Sequence, residues 1–359
     1  MGARDAVLVT GAYGLVGRPL VARLVADGFA VTATAHRTVK PALPAAVDVC
    51  PVDLTKPEQV RALLAQVSPA AIVHLAACLP PLCYANRPLA RAVNVDATAA
   101  LVCAAAAMPS PPRFVHASSM AVYGSRNPHR FTDLLTPETP PRASDLYGCH
   151  KLEAENIVCS SGLEWSILRL SGVLTLEPLI DYGDFDSFYL GAAMPIDNRC
   201  HTVDVRDVAS AFAAAVTSDC VREIFMIAGD DSHKRYQGEL GVAGMEAVGM
   251  GALAFPGRPG NPESDIDWYP LDWMDTTRSQ QVLAFQRYSF AESHGEIRAR
   301  AGWVVWPRRM VAPGVAAVMR RRAPYHKQPG RYADPWGRIR HRWGDPAPDI
   351  ARRAQPPGM

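Results

Sequence analysis

Val7-Leu8-Val9-Thr10 runs straight into Gly11-Ala12-Tyr13-Gly14-Leu15-Val16-Gly17, and this junction constrains the fold more than any other stretch of the chain. An apolar run of strand length, a Gly-x-x-Gly-x-x-Gly turn and helical spacing afterwards describe a strand, a tight turn and a helix. In that setting each glycine has a physical reason. Small residues let the backbone approach a pyrophosphate, the helix N-terminus offers unpaired N–H groups at the positive end of its dipole, and the last glycine permits close helix-to-strand packing. Gly11, Tyr13, Gly14, Leu15, Val16 and Gly17 are therefore expected to form a dinucleotide site. The competing reading is a plain strand-to-helix turn.

The rest of the chain continues the same rhythm. Strand-length apolar runs recur at Ala6 to Thr10, Ala30 to Ala35, Ala71 to Leu75, Arg113 to Ala117, Ser166 to Leu170 and Ile224 to Ala228. Between most of them lie stretches with helical spacing or alanine content: Leu15 to Ala26, Glu58 to Val67, Leu89 to Ala107, Tyr147 to Cys159 and Val205 to Val216. Alternating strands and helices predict an α/β fold with a Rossmann-type, doubly wound parallel sheet. At 359 residues the chain accommodates a smaller lobe as well. The expected division is a dinucleotide-binding domain over residues 1–173, its sheet completed by about 201–229. The substrate lobe takes residues 174–200 and 230–290, and 291–359 form a basic C-terminal extension rich in Pro, Arg and Trp.

An acid about 20 residues beyond the glycines usually holds the ribose 2′-hydroxyl of NAD. Here that stretch reads Thr34-Ala35-His36-Arg37. With no acid present and Arg37 able to bond a 2′-phosphate, NADP is preferred over NAD, unless Arg37 is a solvated surface residue.

Tyr147-Gly148-Cys149-His150-Lys151 puts a phenol and an ammonium at i and i+4 on one helix face. Cationic charge from Lys151 and an oxidised nicotinamide would favour the phenolate, so that Tyr147 exchanges the proton that accompanies hydride transfer. Lys151 would also hold the cofactor ribose. Alone, the pair reads equally as a helix surface pair. The apolar strand Phe114-Val115-His116-Ala117 ends in Ser118-Ser119, where an open sheet places its ligand crevice, and Ser119 there is placed to hydrogen-bond the reacting oxygen.

Together with Asp53-Leu54, His74-Leu75-Ala76-Ala77, Asn94-Val95, Ser118-Ser119-Met120-Ala121-Val122-Tyr123-Gly124, Leu168-Arg169 and the run from His201 to Ala209, these motifs resemble the extended short-chain dehydrogenase/reductase family. The resemblance spans roughly Ala6 to Phe290. It implies that Asp53 and Leu54 lie near the adenine, that Leu75, Ala76, Ala77 and Asn94 lie near the ribose and nicotinamide, and that Ser119 sits beside Tyr147. Each has an alternative: Asp53 as a helix cap, Asn94 bonded only to backbone, His74 as a packed strand residue, Asp204 and Asp207 as caps.

Departures from the family narrow the chemistry. Met120-Ala121 stands where dehydratases of the family carry Asp-Glu, Leu170 replaces a frequent proline, and residues 175–198 contain no basic side chain, Arg199 being the nearest. These features favour an alcohol/carbonyl oxidoreductase acting on a small or hydrophobic molecule. The alternatives are a sugar-nucleotide 4-epimerase with tightly bound NAD and a non-catalytic nucleotide-sensing protein.

Charge separates the tail from the body. Residues 297–359 hold 14 Lys/Arg against 3 Asp/Glu, leaving 23 against 32 elsewhere, so a net +2 conceals an acidic body and a basic tail. The body gives no reason to propose nucleic acid as a partner. Trp303, Trp306, Arg308, Arg309, the apolar run Val311 to Met319 and Arg320-Arg321-Arg322 are compatible with peripheral contact with an anionic membrane, although Pro307 and Pro313 argue against one continuous helix. The competing expectation is a partly disordered basic extension that packs on the body or stays solvated, since no sustained periodicity is evident after Pro324.

The eight cysteines form no Cys-x-x-Cys pair, which fits free thiols in a reducing cytoplasm, and no metal site is expected. Neither a leader nor an 18-residue apolar span is evident, so secretion and a transmembrane helix are not expected. A homodimer is compatible with the fold class.

Overall fold

The computed structural model describes residues 6–36, 43–177, 185–253 and 257–349. Among these, the strands are β1 (Ala6–Thr10), β2 (Ala30–Ala35), β3 (Asp48–Pro51), β4 (Ala71–His74), β5 (Arg113–Ser119), β6 (Trp165–Leu170), β7 (Gly172–Leu174), β8 (Arg199–Asp204), β9 (Glu223–Ile227) and β10 (Lys234–Tyr236). Seven of them form a parallel sheet in the order β3-β2-β1-β4-β5-β6-β9. The remaining three form a small sheet, β10-β8-β7.

The helices are α1 (Gly17–Ala26), α2 (Pro57–Val67), α3 (Leu82–Ala85), α4 (Arg87–Arg91), α5 (Ala97–Ala106), α6 (Leu146–Cys159), α7 (Phe185–Ala193), α8 (Val205–Thr217), α9 (Gln237–Ala247), α10 (Thr277–Leu283), α11 (Phe290–Ala301), α12 (Val305–Arg320) and α13 (Pro335–Trp343). Strand alternation decides which helices cover which face. Val7 and Val9 of β1 join Leu20 and Leu24 of α1 and Phe212 of α8 in one apolar layer. Leu8 points the other way, joining Ile72, Phe114 and Ile167 with Val60, Leu64, Leu101 and Val158 from α2, α5 and α6. Burial on both faces is what a parallel sheet requires, and it explains why the central strands read as continuous apolar runs.

Where the sequence signal was weaker, the structure adds elements. Strand β3 lies at the sheet edge with most of its residues exposed, so its sequence, Asp-Val-Cys-Pro, carries no apolar run. Strand β8 is wholly buried although it contains Arg199, His201, Thr202 and Asp204, each of which has a hydrogen-bonding partner. The stretch read as one helix from Leu89 is instead continuous over Arg87–Ala106, with a π-helical turn at Ala92–Asp96. With a mean hydropathy of 1.4 over 18 residues, this helix is long and apolar enough to cross a membrane, contrary to expectation. In the fold its α5 portion packs between α2 and α6.

The C-terminal extension also departs from expectation. Residues 290–343 form α11, α12 and α13, and α12 is one helix despite its internal Pro313. Pro307 falls in the first turn, where a missing N–H leaves no intrahelical bond unmade. Helix α13 buries Pro335 and Ile339 and is capped by the Asp334 carboxylate, which accepts from Gly337 N. Its periodicity is short and dominated by charged and aromatic residues, so tertiary packing rather than pattern fixes it.

Candidate active site

The glycine turn is shaped by contacts that leave no room for a Cβ. Gly11 has φ +68°, and a Cβ there would lie 2.7 Å from the Ala76 nitrogen. At Gly17 it would lie 2.2 Å from the Gly11 oxygen. Gly14 is different, because an added Cβ would meet only the Gly11 oxygen, at 3.1 Å. No side chain caps the N-terminus of α1, whose amides are thus left for a ligand. These features fit a pyrophosphate laid over Gly14. Tyr13 and Val16 pack into the core behind the turn, whereas Leu15 is exposed.

Gly17→Ala tests the packing role. Inside a helix this change ordinarily stabilises by roughly 0.5–1 kcal/mol, whereas the clash here predicts a loss of about 1–3 kcal/mol. A lower urea midpoint together with weaker nucleotide binding is the expected result. A raised midpoint would show that the contact is not limiting.

The loop after β4 runs alongside the turn. Leu75 N donates to Thr10 O, and Ala76 N donates to Thr10 Oγ1. Asn94, buried in the π-helical turn, accepts from Cys78 N at 2.6 Å and donates to Cys78 O at 3.0 Å. Its side chain thus bonds backbone and anchors the Leu75-Ala76-Ala77 loop. Asp53 lies beyond β3, where its Oδ1 accepts from Thr55 N and Oγ1 in a local turn that holds its pKa below the ordinary carboxylate value. It does not cap α2, whose N-cap is Lys56. Leu54 packs on the core beneath α2. Arg37 lies outside the described residues.

Helix α6 begins with the Asp145 carboxylate accepting from Tyr147 N and Gly148 N, both at 3.1 Å. Gly148 lets α6 approach the 3-10 turn Met120–Tyr123, since a Cβ there would lie 2.4 Å from Ala121 O. This packing brings Tyr147 to the end of β5, near enough to the Ser119 side chain for that group to oppose the rise in its pKa. Lys151 Nζ donates to Ala117 O at 2.8 Å and sits 5.9 Å from the Tyr147 ring centre. Ser119, Tyr147 and Lys151 therefore converge at the carboxyl end of the central strands. Asp145 and Gly148 were not singled out from sequence, although an Asp just before a helical run is an N-cap signal.

The protein's own groups favour the phenol, whereas the expected shift toward phenolate draws on an oxidised nicotinamide as well as Lys151. Burial raises the Tyr147 pKa, the neighbouring Cys83 and Asp145 reinforce the rise, and the Ser119 side chain opposes it. Burial also pushes Lys151 down to about 8, against the attraction of Glu155. Desolvation of the charged forms outweighs the i,i+4 pairing, so Tyr147 holds its proton at neutral pH.

The Lys151 shift has a consequence for stability. Because its folded pKa of about 8 lies below the ordinary 10.5, the buried ammonium costs stability below about pH 8, and the cost fades between pH 8 and 10.5. The stability of the wild type relative to Lys151→Met should therefore rise across that interval. Urea midpoints measured at several pH values check it, and a pH-independent difference would contradict the assignment.

Around Tyr147 the surroundings are apolar and aromatic: Cys78, Cys83, Tyr84, Leu190, Met194 and Tyr269, with Ile339 of α13. Tyr84 donates to Asp145 at 2.7 Å, tying this shell to the cap of α6. Arg199, the nearest basic residue to the lobe by sequence, is buried and donates to Phe131 O and Pro128 O, with Asp272 3.5 Å away. Asp204 does cap α8, whereas Asp207 accepts from Arg287 N and Tyr288 N. Burial raises Asp207 to about 6. A cavity of about 800 Å³ adjoins the glycine turn at Tyr13, Gly14 and Leu15 and extends to Val173–Glu177, α9 and α11. Arg18, Arg206 and Arg300 lie on its wall, each near an acid: Glu177, Asp204 and Glu296 respectively.

Residues 7–175 match the family described as the NAD dependent epimerase/dehydratase family. Comparison with curated proteins gives no significant match. Among solved structures, the Bordetella bronchiseptica enzyme WbmG in complex with NAD is 18% identical with a TM-score of 0.67, over 85% of this chain and 96% of that one. Thermus thermophilus UDP-glucose 4-epimerase in complex with NAD is 20% identical with a TM-score of 0.66, over 83% and 100%. MoeE5 in complex with UDP-glucose and NAD is 24% identical with a TM-score of 0.65, over 86% and 100%. At these identities the structural likeness speaks for the fold, and the family match speaks for the glycine turn and the strands around it. Residues 7–175, just under half of the chain, therefore resemble the NAD dependent epimerase/dehydratase family, a likeness that supports an oxidoreductase or epimerase working with a nicotinamide cofactor.

Proposed function

We propose that this enzyme transfers hydride between a nicotinamide cofactor and an alcohol or carbonyl carbon of a small or apolar substrate, with Tyr147 as acid/base. The observation that carries this reading is the packing of Cys78, Cys83, Tyr84, Leu190, Met194 and Tyr269 in one cluster with Tyr147. Such a wall suits a compact hydrophobic molecule better than a nucleotide diphosphate. A bound cofactor would supply the hydride donor or acceptor. Tyr147, protonated at neutral pH, is suited to give its proton to a carbonyl oxygen as the carbon is reduced. Ser119, close to Tyr147, is suited to orient that proton. Lys151 spends one donor on Ala117 O and has others for a ribose hydroxyl.

NADP is the preferred cofactor in this reading, because β2 ends at Ala35 and the sequence continues with His36 and Arg37, with no acid to claim a 2′-hydroxyl. A second reading, a sugar-nucleotide 4-epimerase, is favoured by the large cavity with Arg18, Arg206 and Arg300 on its wall. UDP-glucose in the MoeE5 structure supports the same reading.

One experiment separates the two. The full-length protein is purified without added nucleotide, denatured, and the released cofactor identified by mass spectrometry. A site that arrives empty and then binds NADPH more tightly than NADH is the expected result. Stoichiometric NAD would discard the NADP preference and select the epimerase.

A further inference from the structure

Helix α12 is apolar on two opposite sides, and only one of them is covered. Val305, Ala312 and Ala316 face inward, where Ala312 and Ala316 pack with Val248, Met250, Leu253 and Ile297. The outward side repeats at helical spacing: Trp306, Met310, Gly314 and Ala317, with Pro307, Val311 and Val318 beside them. Trp306 is 70% exposed, Met310 85%, Val311 56% and Val318 57%, and Trp303 just before the helix is 79% exposed. From Met310 to Met319 there is no polar side chain at all. A solvent-facing helix normally places charged residues there, so this face lacks a partner rather than lacking a preference.

Charge defines what that partner is. Arg308 and Arg309 precede the apolar run, and Arg320, Arg321 and Arg322 end it. Between residues 297 and 333 there are nine Lys/Arg and no Asp/Glu. A second copy of the chain set against this face would bring arginines to arginines without an intervening acid from the segment. An anionic bilayer supplies both complements at once, acyl chains for Trp306, Met310 and Val318 and lipid phosphates for the flanking guanidiniums. We infer that the outward face of α12 is a docking surface for an anionic membrane, on which the helix lies in the interfacial plane. Internal packing at Ala312 and Ala316 then fixes the body of the enzyme on the lipid, and the surface is separate from the residues that converge at Tyr147.

The test uses the full chain and vesicles of equal parts phosphatidylglycerol and phosphatidylcholine, with phosphatidylcholine vesicles for comparison. Sedimentation at low salt should carry the wild type down with the anionic vesicles only, with a blue shift of tryptophan emission. One variant combines Trp306→Ser, Met310→Ser and Val318→Ser; another combines Arg320→Gln, Arg321→Gln and Arg322→Gln. All six side chains are exposed. Unchanged melting temperatures confirm folding, and a variant that fails this check is replaced by its single substitutions. At roughly fivefold per arginine removed, the second variant, which loses three, should bind about a hundredfold more weakly. Wild type that stays in solution with both vesicle types overturns the inference, as does equal binding by wild type and both variants. Sedimentation equilibrium showing a dimer that the first variant abolishes, without vesicle binding, assigns the face to a second copy and also overturns it.

Discussion

Tyr147→Phe is expected to cut turnover by ~10²–10⁴-fold while leaving cofactor affinity near the wild-type value. The phenylalanine ring keeps its contacts with Leu190, Met194 and Tyr269, so the apolar shell and the start of α6 remain in place. What disappears is the hydroxyl beside Ser119 on the ring that Lys151 approaches to 5.9 Å. Steady-state kinetics with the cofactor identified by mass spectrometry give the measurement, and urea midpoints confirm that folding is unaffected. Comparison with Ser119→Ala sharpens the result. If Ser119 only orients the proton, its loss should cost less in kcat than the loss of Tyr147 and should leave the pH profile in place. Equal activity of Tyr147→Phe and wild type would reject the acid/base role and favour a protein that senses nucleotide without chemistry.

This expectation rests on residues that sequence reading reached unevenly. Central strands and the helices between them were legible because burial on both faces forces long apolar runs, and the glycine turn was legible because Gly11 and Gly17 have no room for a Cβ. Edge strand β3 was not legible, since an exposed edge imposes no pattern. Ser119, Tyr147 and Lys151 are visible as a spacing, but the sign of the electrostatics between them is not. The expected phenolate draws on Lys151 and an oxidised nicotinamide together, whereas burial, a tertiary property, raises the Tyr147 pKa and brings Lys151 down to about 8. Helix α13 is the clearest omission. Its Ile339 reaches the same cluster as Tyr147, a contact across nearly two hundred residues that no local pattern announces. The sequence after Pro324 shows no sustained periodicity, because packing on α3 and α7 rather than local pattern fixes α13.

Glu155→Ala is expected to lower stability by about 3–5 kcal/mol, more than any other single change proposed for this protein. Glu155 lies two turns along α6 from Tyr147 and is buried, as is Arg169 on β6. Arg169 donates to it through Nε at 2.9 Å and Nη2 at 2.7 Å, and the Ser118 hydroxyl donates to the same carboxylate. On its other side Arg169 donates to the Tyr123 hydroxyl. Removing the carboxylate strands a buried guanidinium, whose lost partner matters far more than the lost volume. Exchanging both partners, as Glu155→Leu with Arg169→Met, removes the stranded charge and should recover most of the loss, leaving the hydroxyls of Ser118 and Tyr123 short of one partner each. Denaturant midpoints of the two single variants and the double variant decide between a paired charge and ordinary packing, because packing losses would add whereas the charge penalty cancels. The function of the pair is then separable from its stability. A double variant that folds yet turns over slowly would show that the ion pair sets the position of α6, and with it Tyr147 and Lys151, to a tolerance that apolar packing does not reproduce. Full activity in the folded double variant would leave Asp145 and Gly148 at the start of α6 as the features that position the tyrosine.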